Sequence, residues 1–478
     1  MKLNFNHYSI IISFCIASIF ILFPETTVQA LNYLINSVLQ TCDRLLLWTV
    51  TSILIICIAI GLSPIGRLKL GEGKPEFSNF SWVSMLFAAG MGSGLIFWGV
   101  AEPVYHLQSP LNPDQDPYVA LSITNFHWGL QAWGIYAFSG LIIAWFAYNK
   151  NRQMDISSSF GVKKGNKLFW ALDLLAVITI LFGVSGTLAN SVAIVQTGLV
   201  RLTGIDSISG FSFRVILLIL LSIAFMLSSV SGLKKGVKVL SDFNVLLTFV
   251  ILGFIFYIIS PLQALDVFFN SLISFVKELP RLSTSIPDEA REWSQTWTIV
   301  YFLWWVSWAP FCGLFIARIS KGRTIREFIF SILFYPTLVT IFWFAVFGGG
   351  GLFSDYLPMF KEAINLDYTN GIYIFLEQLP LGEIVSYLCI FLLIVFVITS
   401  ADSAIFVTSL LTKNGTTTNK IVWSIMLIFI SIALLYENNV DLNKVISTTG
   451  AIPFMIILLL QGVMFFRSVK QDYKEKNK

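Results

Sequence analysis

The chain has 478 residues, 56% of them hydrophobic and only 12% charged. Soluble domains carry about 25% charged residues; with a mean hydropathy of +0.77, a soluble enzyme and a nucleic-acid-binding domain are both excluded. The net charge of +4 says little by itself, and five cysteines without a Cys-x-x-Cys pair imply neither a disulfide framework nor a zinc site.

Apolar runs long enough to cross a bilayer recur along the whole sequence. They predict an all-α polytopic membrane protein with twelve transmembrane helices. The spans are expected near 8–24, 45–63, 81–105, 121–148, 170–200, 213–231, 240–261, 296–318, 326–353, 383–411, 421–437 and 447–466. Lys2, the first apolar run and Val28-Gln29-Ala30 loosely resemble a secretory signal, but the run is longer than a signal core and is read as the first span. With a cytoplasmic N-terminus, the even-numbered connections are all basic. Only Arg44, Arg201, Arg214, Lys277, Arg281, Arg291, Lys361 and Lys444 fall on the outer side. The positive-inside rule therefore predicts that both termini are cytoplasmic. Two outer connections are long: 262–295 contains an amphipathic run from Phe268 to Val276 that is expected along the membrane surface, and 354–382 is expected to hold a short helix.

The third span carries Ala88-Ala89-Gly90-Met91-Gly92-Ser93-Gly94. Glycines at spacing two do not make a helix-packing stripe, which needs spacing four. They free the backbone to leave helical geometry, which lipid tolerates only where it lines a cavity. A broken helix around a ligand is the expectation. The competing one is close packing through small residues. In the fourth span Trp128, Trp133 and Tyr136 fall on one side, within an arc of about 140° at about 100° per residue. In the fifth, Ser185, Thr187, Asn190 and Ser191 make a polar strip that either faces a pathway or glues helices.

The eighth span holds Trp304, Trp305, Ser307, Trp308, Pro310, Phe311 and Gly313. Membrane tryptophans normally gather at the two interfaces; these sit at mid-depth, in a helix expected to bend at the proline. Aromatic packing alone accounts for such a stretch. So does a cage for a cation that carries no hydrogen-bond donor. No Lys or Arg lies inside the fourth or eighth span, so such a cation comes from outside. A quaternary ammonium fits, each ring face contributing about 0.5–2 kcal/mol. The third and eighth spans, five apart, are expected to be interrupted and to open two five-helix units, the sequence pointer to an inverted-repeat transporter. In the tenth span, Thr399-Ser400-Ala401-Asp402-Ser403 offers oxygen ligands for a small cation or simply bonds back to the preceding turn. Glu102 and His127 are isolated candidates read as structural; His7, His106 and His127 do not cluster in sequence. No His-Glu-x-x-His and no nucleotide loop appears, so no enzyme is expected.

Four motifs, in matching order from about 45 to 466, resemble the betaine/choline/carnitine transporter family: Gly90–Gly94 running into Phe97-Trp98-Gly99-Val100-Ala101-Glu102-Pro103; His127 to Tyr136; Trp304–Phe311 with Phe315 to Thr324; and Thr399–Ser403. The resemblance implies a five-plus-five inverted-repeat (LeuT-like) core: 1–80 as two peripheral helices, 81–262 as the first repeat, 263–295 as a periplasmic connector, 296–466 as the second repeat and 467–478 as a short basic cytoplasmic tail. It implies a bacterial plasma-membrane protein embedded in lipid, often a homotrimer, with no nucleic-acid partner and no cofactor beyond a coupling ion. Trp128, Trp133, Tyr136 and Trp305 match the family's box around a trimethylammonium group. Trp304, Trp308 and Phe311 match neighbouring binding or gate positions. The backbone of Gly90, Met91, Gly92, Ser93 and Gly94 would meet a carboxylate. Carbonyls of Ala88, Met91 and Phe396 with the hydroxyls of Thr399 and Ser400 match one sodium site.

The function so implied is sodium-coupled symport of a quaternary-ammonium compatible solute such as glycine betaine, by alternating access. The alternatives are a sodium-independent carnitine/betaine exchanger and proton-coupled choline uptake. Proton-coupled choline carriers tend to carry Asp at the position of Gly94, and the exchanger an Arg near Asn244; this chain has Gly and Asn, which favours sodium. Where a second sodium site of the family uses two threonines, the chain has Ile180 and Val184.

Overall fold

The computed structural model describes residues 5–90, 92–161, 166–231, 237–412, 415–437 and 439–476, for the backbone alone at 87–90, 167, 169, 231, 237–242 and 473–476. Among these residues the secondary structure is helical, apart from one isolated antiparallel bridge between Lys69 and Thr324. The helices are α1 (Phe5–Leu22), α2 (Pro24–Leu62), α3 (Asn79–Gly90), α4 (Ser93–His106), α5 (Pro117–Trp128), α6 (Leu130–Ala144), α7 (Lys167–Thr203), α8 (Phe211–Ser231), α9 (Val237–Ile258), α10 (Pro261–Thr284), α11 (Arg291–Ser294), α12 (Val300–Ile319), α13 (Ile325–Leu352), α14 (Leu357–Leu366), α15 (Gly371–Leu376), α16 (Gly382–Leu411), α17 (Thr417–Glu437), α18 (Val440–Ser447) and α19 (Ala451–Lys476).

Among the described residues, ten helical segments are long and apolar enough to cross a membrane, or eleven with one bent pair. The chain is thus a multi-pass membrane protein. Against the twelve expected spans, the differences fall at 81–105 and 240–261. The first is split into α3 and α4, of 12 and 14 residues, each shorter than the roughly 20 residues a bilayer asks of one helix. At the second, Phe243–Ile258 meets α10 at a bend of 105°, with Ser260 at φ +77. In α10, Ala264, Val267, Ser271 and Phe275 form its buried face at helical spacing, against α5 and α13.

Two expectations about breaks are corrected. The eighth segment is not interrupted: α12 runs from Val300 to Ile319 with Pro310 inside it, and its irregularity is a wide π turn upstream, at Gln295–Ile299. The fourth segment, read as one helix, is broken at Gly129 (φ −99, ψ −133) between α5 and α6. A Cβ at Gly129 would run into the Asn125 carbonyl, so the helix breaks at the residue that has none. Of the two segments expected to be interrupted, the third is and the eighth is not.

α12 is the central helix, packed against α6, α7, α16 and α19. Small residues let the backbones approach: Gly313 lies directly against Ser139 of α6, and a Cβ at Gly183 of α7 would sit 2.6 Å from Ser307 Oγ. The outer helices do the reverse. α8 exposes Ile216, Ile219, Leu220, Ile223 and Leu227 along one face, apolar surface that lipid tails cover without penalty.

Candidate functional site

The break between α3 and α4 turns a helix start into the protein. Gly92 caps α4 with an extended conformation (φ −141, ψ −149), and the first residues of α4 face a cavity of about 90 Å³. Its walls are Gly92, Ser93, Gly94, Phe97 and Trp98 from the broken segment; Trp128 and Tyr136 from either side of Gly129; Thr187, Asn190 and Ser191 from α7; Tyr301, Trp304, Trp305 and Trp308 from α12; and Ser400 from α16. A helix N-terminus carries partial positive charge and free N–H groups. One end of the cavity therefore suits an anion, while the aromatic walls suit a cation.

The rings meet edge to face. Trp305 is the hub: its centroid lies 5.6 Å from Trp128 at 88°, 5.1 Å from Tyr136 at 61° and 6.2 Å from Trp133 at 50°. Trp133, fully buried, stands behind Tyr136 at 5.7 Å. Phe311 stands behind Trp308 at 5.6 Å. Trp133 and Phe311 thus back the cavity wall rather than form it. Gly94 explains how Trp128 reaches this position, since a Cβ there would lie 2.6 Å from the indole Cη2. Trp304 Nε1 has no hydrogen-bond partner among the described residues and belongs to a lining residue.

The expected sodium ligands divide. Ser400 lines the cavity, 3.5 Å from where a Gly92 Cβ would be. Thr399 Oγ1 donates to the carbonyls of Val395 at 3.0 Å and Phe396 at 3.1 Å, the back-bonding that a polar residue inside an apolar helix adopts. Ala88 and Gly90 close α3, and Met91 lies outside the described residues. Asp402 is buried and accepts from Ser228 Oγ at 2.8 Å, a tie between α16 and α8. The polar strip of α7 splits likewise: Thr187, Asn190 and Ser191 face the cavity, and Ser185 donates to the Leu427 carbonyl of α17 at 3.4 Å.

Sequence reasoning missed the polar centre behind the cavity, and here the reading of scattered histidines is corrected. Glu102, His106 and His127 converge, fully buried. Glu102 Oε1 meets His106 Nε2 at 3.1 Å and His127 Nδ1 at 2.7 Å. Glu102 Oε2 accepts from Trp128 Nε1 at 2.8 Å and Tyr301 OH at 2.7 Å. The three residues can bring ligand atoms within 4.8 Å of one another, but four hydrogen-bond partners already engage both carboxylate oxygens. The trio is a hydrogen-bond hub rather than a metal centre. Glu102 and His106, four apart on α4, were a legible pair; His127 joins them only through the fold.

Lys444 was also missed. Buried on α18, it lies 2.7 Å from Asp441 Oδ1 and 3.6 Å from the ring centroid of Trp297, with Trp98, Tyr301 and Tyr368 within 5.8 Å. Burial and the Asp441 carboxylate raise the Tyr368 phenol above its ordinary pKa, so that ring faces the lysine neutral.

Comparison with known proteins gives a consistent picture. A family model described as betaine/carnitine/choline family transporter matches residues 5–474. The chain is 36% identical over 440 residues to a glycine betaine transporter of Bacillus subtilis, covering 88% of this chain and 85% of that one. It is 33% identical to a probable glycine betaine transporter of Desulfitobacterium hafniense, over 97% of both. It is also 33% identical to an ectoine/hydroxyectoine transporter of Virgibacillus pantothenticus, over 88% and 87%.

Proposed function

The chain belongs to the betaine/carnitine/choline transporter family, is a transporter rather than an enzyme, and from that premise we propose that it imports a methylated onium zwitterion of the glycine betaine type by sodium-coupled symport. The observation that carries this reading is the cavity itself: Trp128, Tyr136, Trp304, Trp305 and Trp308 around one space, with the start of α4 at its edge. A trimethylammonium group cannot hydrogen-bond and is held by ring faces at about 0.5–2 kcal/mol each. Trp133 and Phe311 hold those rings from behind. The carboxylate goes to the backbone of Gly90–Gly94, which includes Met91, where free N–H groups and the helix dipole favour an anion.

Sodium is assigned to carbonyls of Ala88, Met91 and Phe396 and the hydroxyls of Thr399 and Ser400. Two features support it: Ser400 lies across from Gly92, and the Thr399 hydroxyl, though donating within its helix, keeps its lone pairs for an ion. One inward sodium is worth about 2.3 kcal/mol per 100 mV, and a tenfold gradient adds about 1.4 kcal/mol. Together these accumulate a neutral zwitterion about 500-fold with one sodium. The twelve-span count takes α3 with α4 as the third span and α9 as the seventh. Both termini are then cytoplasmic. The five-plus-five repeat, its boundaries at 81–262 and 296–466, the intervening connector and the homotrimer rest on the family resemblance.

The test is uptake of labelled glycine betaine into proteoliposomes holding the purified protein, with an inward sodium gradient, with potassium in its place, and with a proton gradient alone. Uptake that needs sodium is expected. Counterflow at full rate without sodium would establish the exchanger instead, and uptake driven by protons alone the choline-type coupling.

A further inference from the structure

Glu102 never reaches the cavity, yet two of the cavity's rings end on it. Trp128 and Tyr301 both line the space, and both give their only polar hydrogen to Glu102 Oε2, at 2.8 and 2.7 Å. Each ring is thereby pinned at its polar edge; Tyr301 is also stacked on His127 at 4.9 Å and on Trp297 at 5.9 Å, so it is a fixed part of the wall beside Trp128. The other oxygen is held by His127 Nδ1 and His106 Nε2. His127 Nε2 is 3.0 Å from Thr298 Oγ1, which fits a neutral ring donating from Nδ1 and accepting from the threonine. His106 meets the same oxygen through Nε2, and its Nδ1 has no partner among the described residues, as a neutral ring donating from Nε2 allows. With both imidazoles neutral, the hub carries the carboxylate charge alone. The nearby cation does not cancel it, because Lys444 is ion-paired with Asp441.

An anion that accepts from an indole N–H and a phenol O–H does more than orient them. Charge-assisted hydrogen bonds are about twice as strong as neutral ones, and in a dry interior each bond polarises the next. Electron density shifts toward the ring faces, the surfaces an onium group meets. We propose that Glu102 is a positioning residue of the cage: its carboxylate fixes Trp128 and Tyr301 in the cavity wall and sets a negative charge behind them, so that affinity for methylated onium groups depends on a residue that never touches the ligand. This rests on the onium reading given under Proposed function and adds to it the residue that tunes the cage.

A purely structural knot would affect every ligand of the cavity alike; a charge anchor singles out the positive ones. The experiment measures tryptophan-fluorescence affinities of the purified full-length protein for glycine betaine and for 3,3-dimethylbutanoate, its isostere with carbon in place of the quaternary nitrogen. In Glu102→Gln we expect betaine to bind about tenfold more weakly and the isostere to stay within about twofold. Equal losses for both ligands, or unchanged betaine affinity, would overturn the inference. Should the glutamine variant not be monodisperse, or the isostere bind too weakly to read, Tyr301→Phe and Trp128→Phe decide. Tyr301→Phe keeps the ring and deletes one donor, so about threefold weaker betaine binding is expected, and wild-type affinity refutes the idea. Combined in one protein, these two variants should lose less than the product of their separate losses, because both act through one carboxylate; strict additivity also refutes it. A wild-type protein that binds no onium compound speaks against the onium reading, whereas a wild type that binds betaine and a glutamine variant that binds it equally speak against Glu102 alone.

Discussion

The aromatic wall of α5, α6 and α12 and the polar strip of α16 stood out equally in the sequence, and they behave oppositely in the fold. The rings of Trp128, Tyr136, Trp305 and Trp308 turn toward one shared space, whereas Thr399 and Asp402 satisfy themselves on carbonyls of their own helix and on Ser228. The difference lies in what each group needs. A ring face asks for no hydrogen bond and can be presented to a cavity without cost. A hydroxyl or carboxylate buried without a partner costs about 1–3 kcal/mol, so it closes on the nearest acceptor or donor. The wall is preorganised for a ligand. Within the strip, Ser400 faces the same space, whereas Thr399 can serve an ion only by sharing an oxygen that already has partners.

The largest expected effect that sharpens this contrast is at Trp305, whose ring touches Trp128, Tyr136 and Trp133 at once. Trp305→Leu should weaken betaine binding by about 30-fold in a protein that still elutes as one species; titration of fluorescence quenching measures it, and near-normal affinity would move the onium site elsewhere. Gly94→Ala comes next. Its methyl would lie 2.6 Å from the Trp128 ring, the indole must shift, and affinity should fall about tenfold, with stability lowered by about 1–3 kcal/mol. Asp402→Asn should act on the fold rather than on binding: one charge-assisted bond to Ser228 is weakened, lowering stability by about 1–2 kcal/mol in a thermal-shift assay while betaine affinity stays within twofold. The smallest effect is expected at Thr399→Val. The hydroxyl bonds only to its own helix, so stability should change by about 0.5 kcal/mol or less. If Thr399 also ligates sodium, the sodium concentration for half-maximal uptake rises several-fold; an unchanged value would remove Thr399 from the ion site and leave the strip purely structural.

Gly129 shows where sequence reading stops. Its backbone angles are neither helical nor extended, and only the Asn125 carbonyl beside it says why a side chain is excluded. Read as one helix, the fourth segment already put Trp128, Trp133 and Tyr136 on one side; the break instead turns Trp128 onto Gly94 and leaves Trp133 in the second row. Pro310 misleads in the other direction, as it sits inside an unbroken α12. Proline removes one N–H, and a helix held on several sides tolerates that loss.

The sequence by itself determined the medium, the helical class, the aromatic character of the site and the glycine break in the third segment. Each is a matter of composition or short-range spacing, and lipid leaves the backbone few choices. Only the tertiary structure decided which rings face the cavity, that Glu102 joins His106 and His127 to Trp128 and Tyr301, and that Lys444 lies buried among Trp98, Trp297, Tyr301 and Tyr368. Those contacts join residues as much as 346 positions apart, Trp98 to Lys444. Their geometry is set by helix packing, for which no local pattern of residues is a substitute.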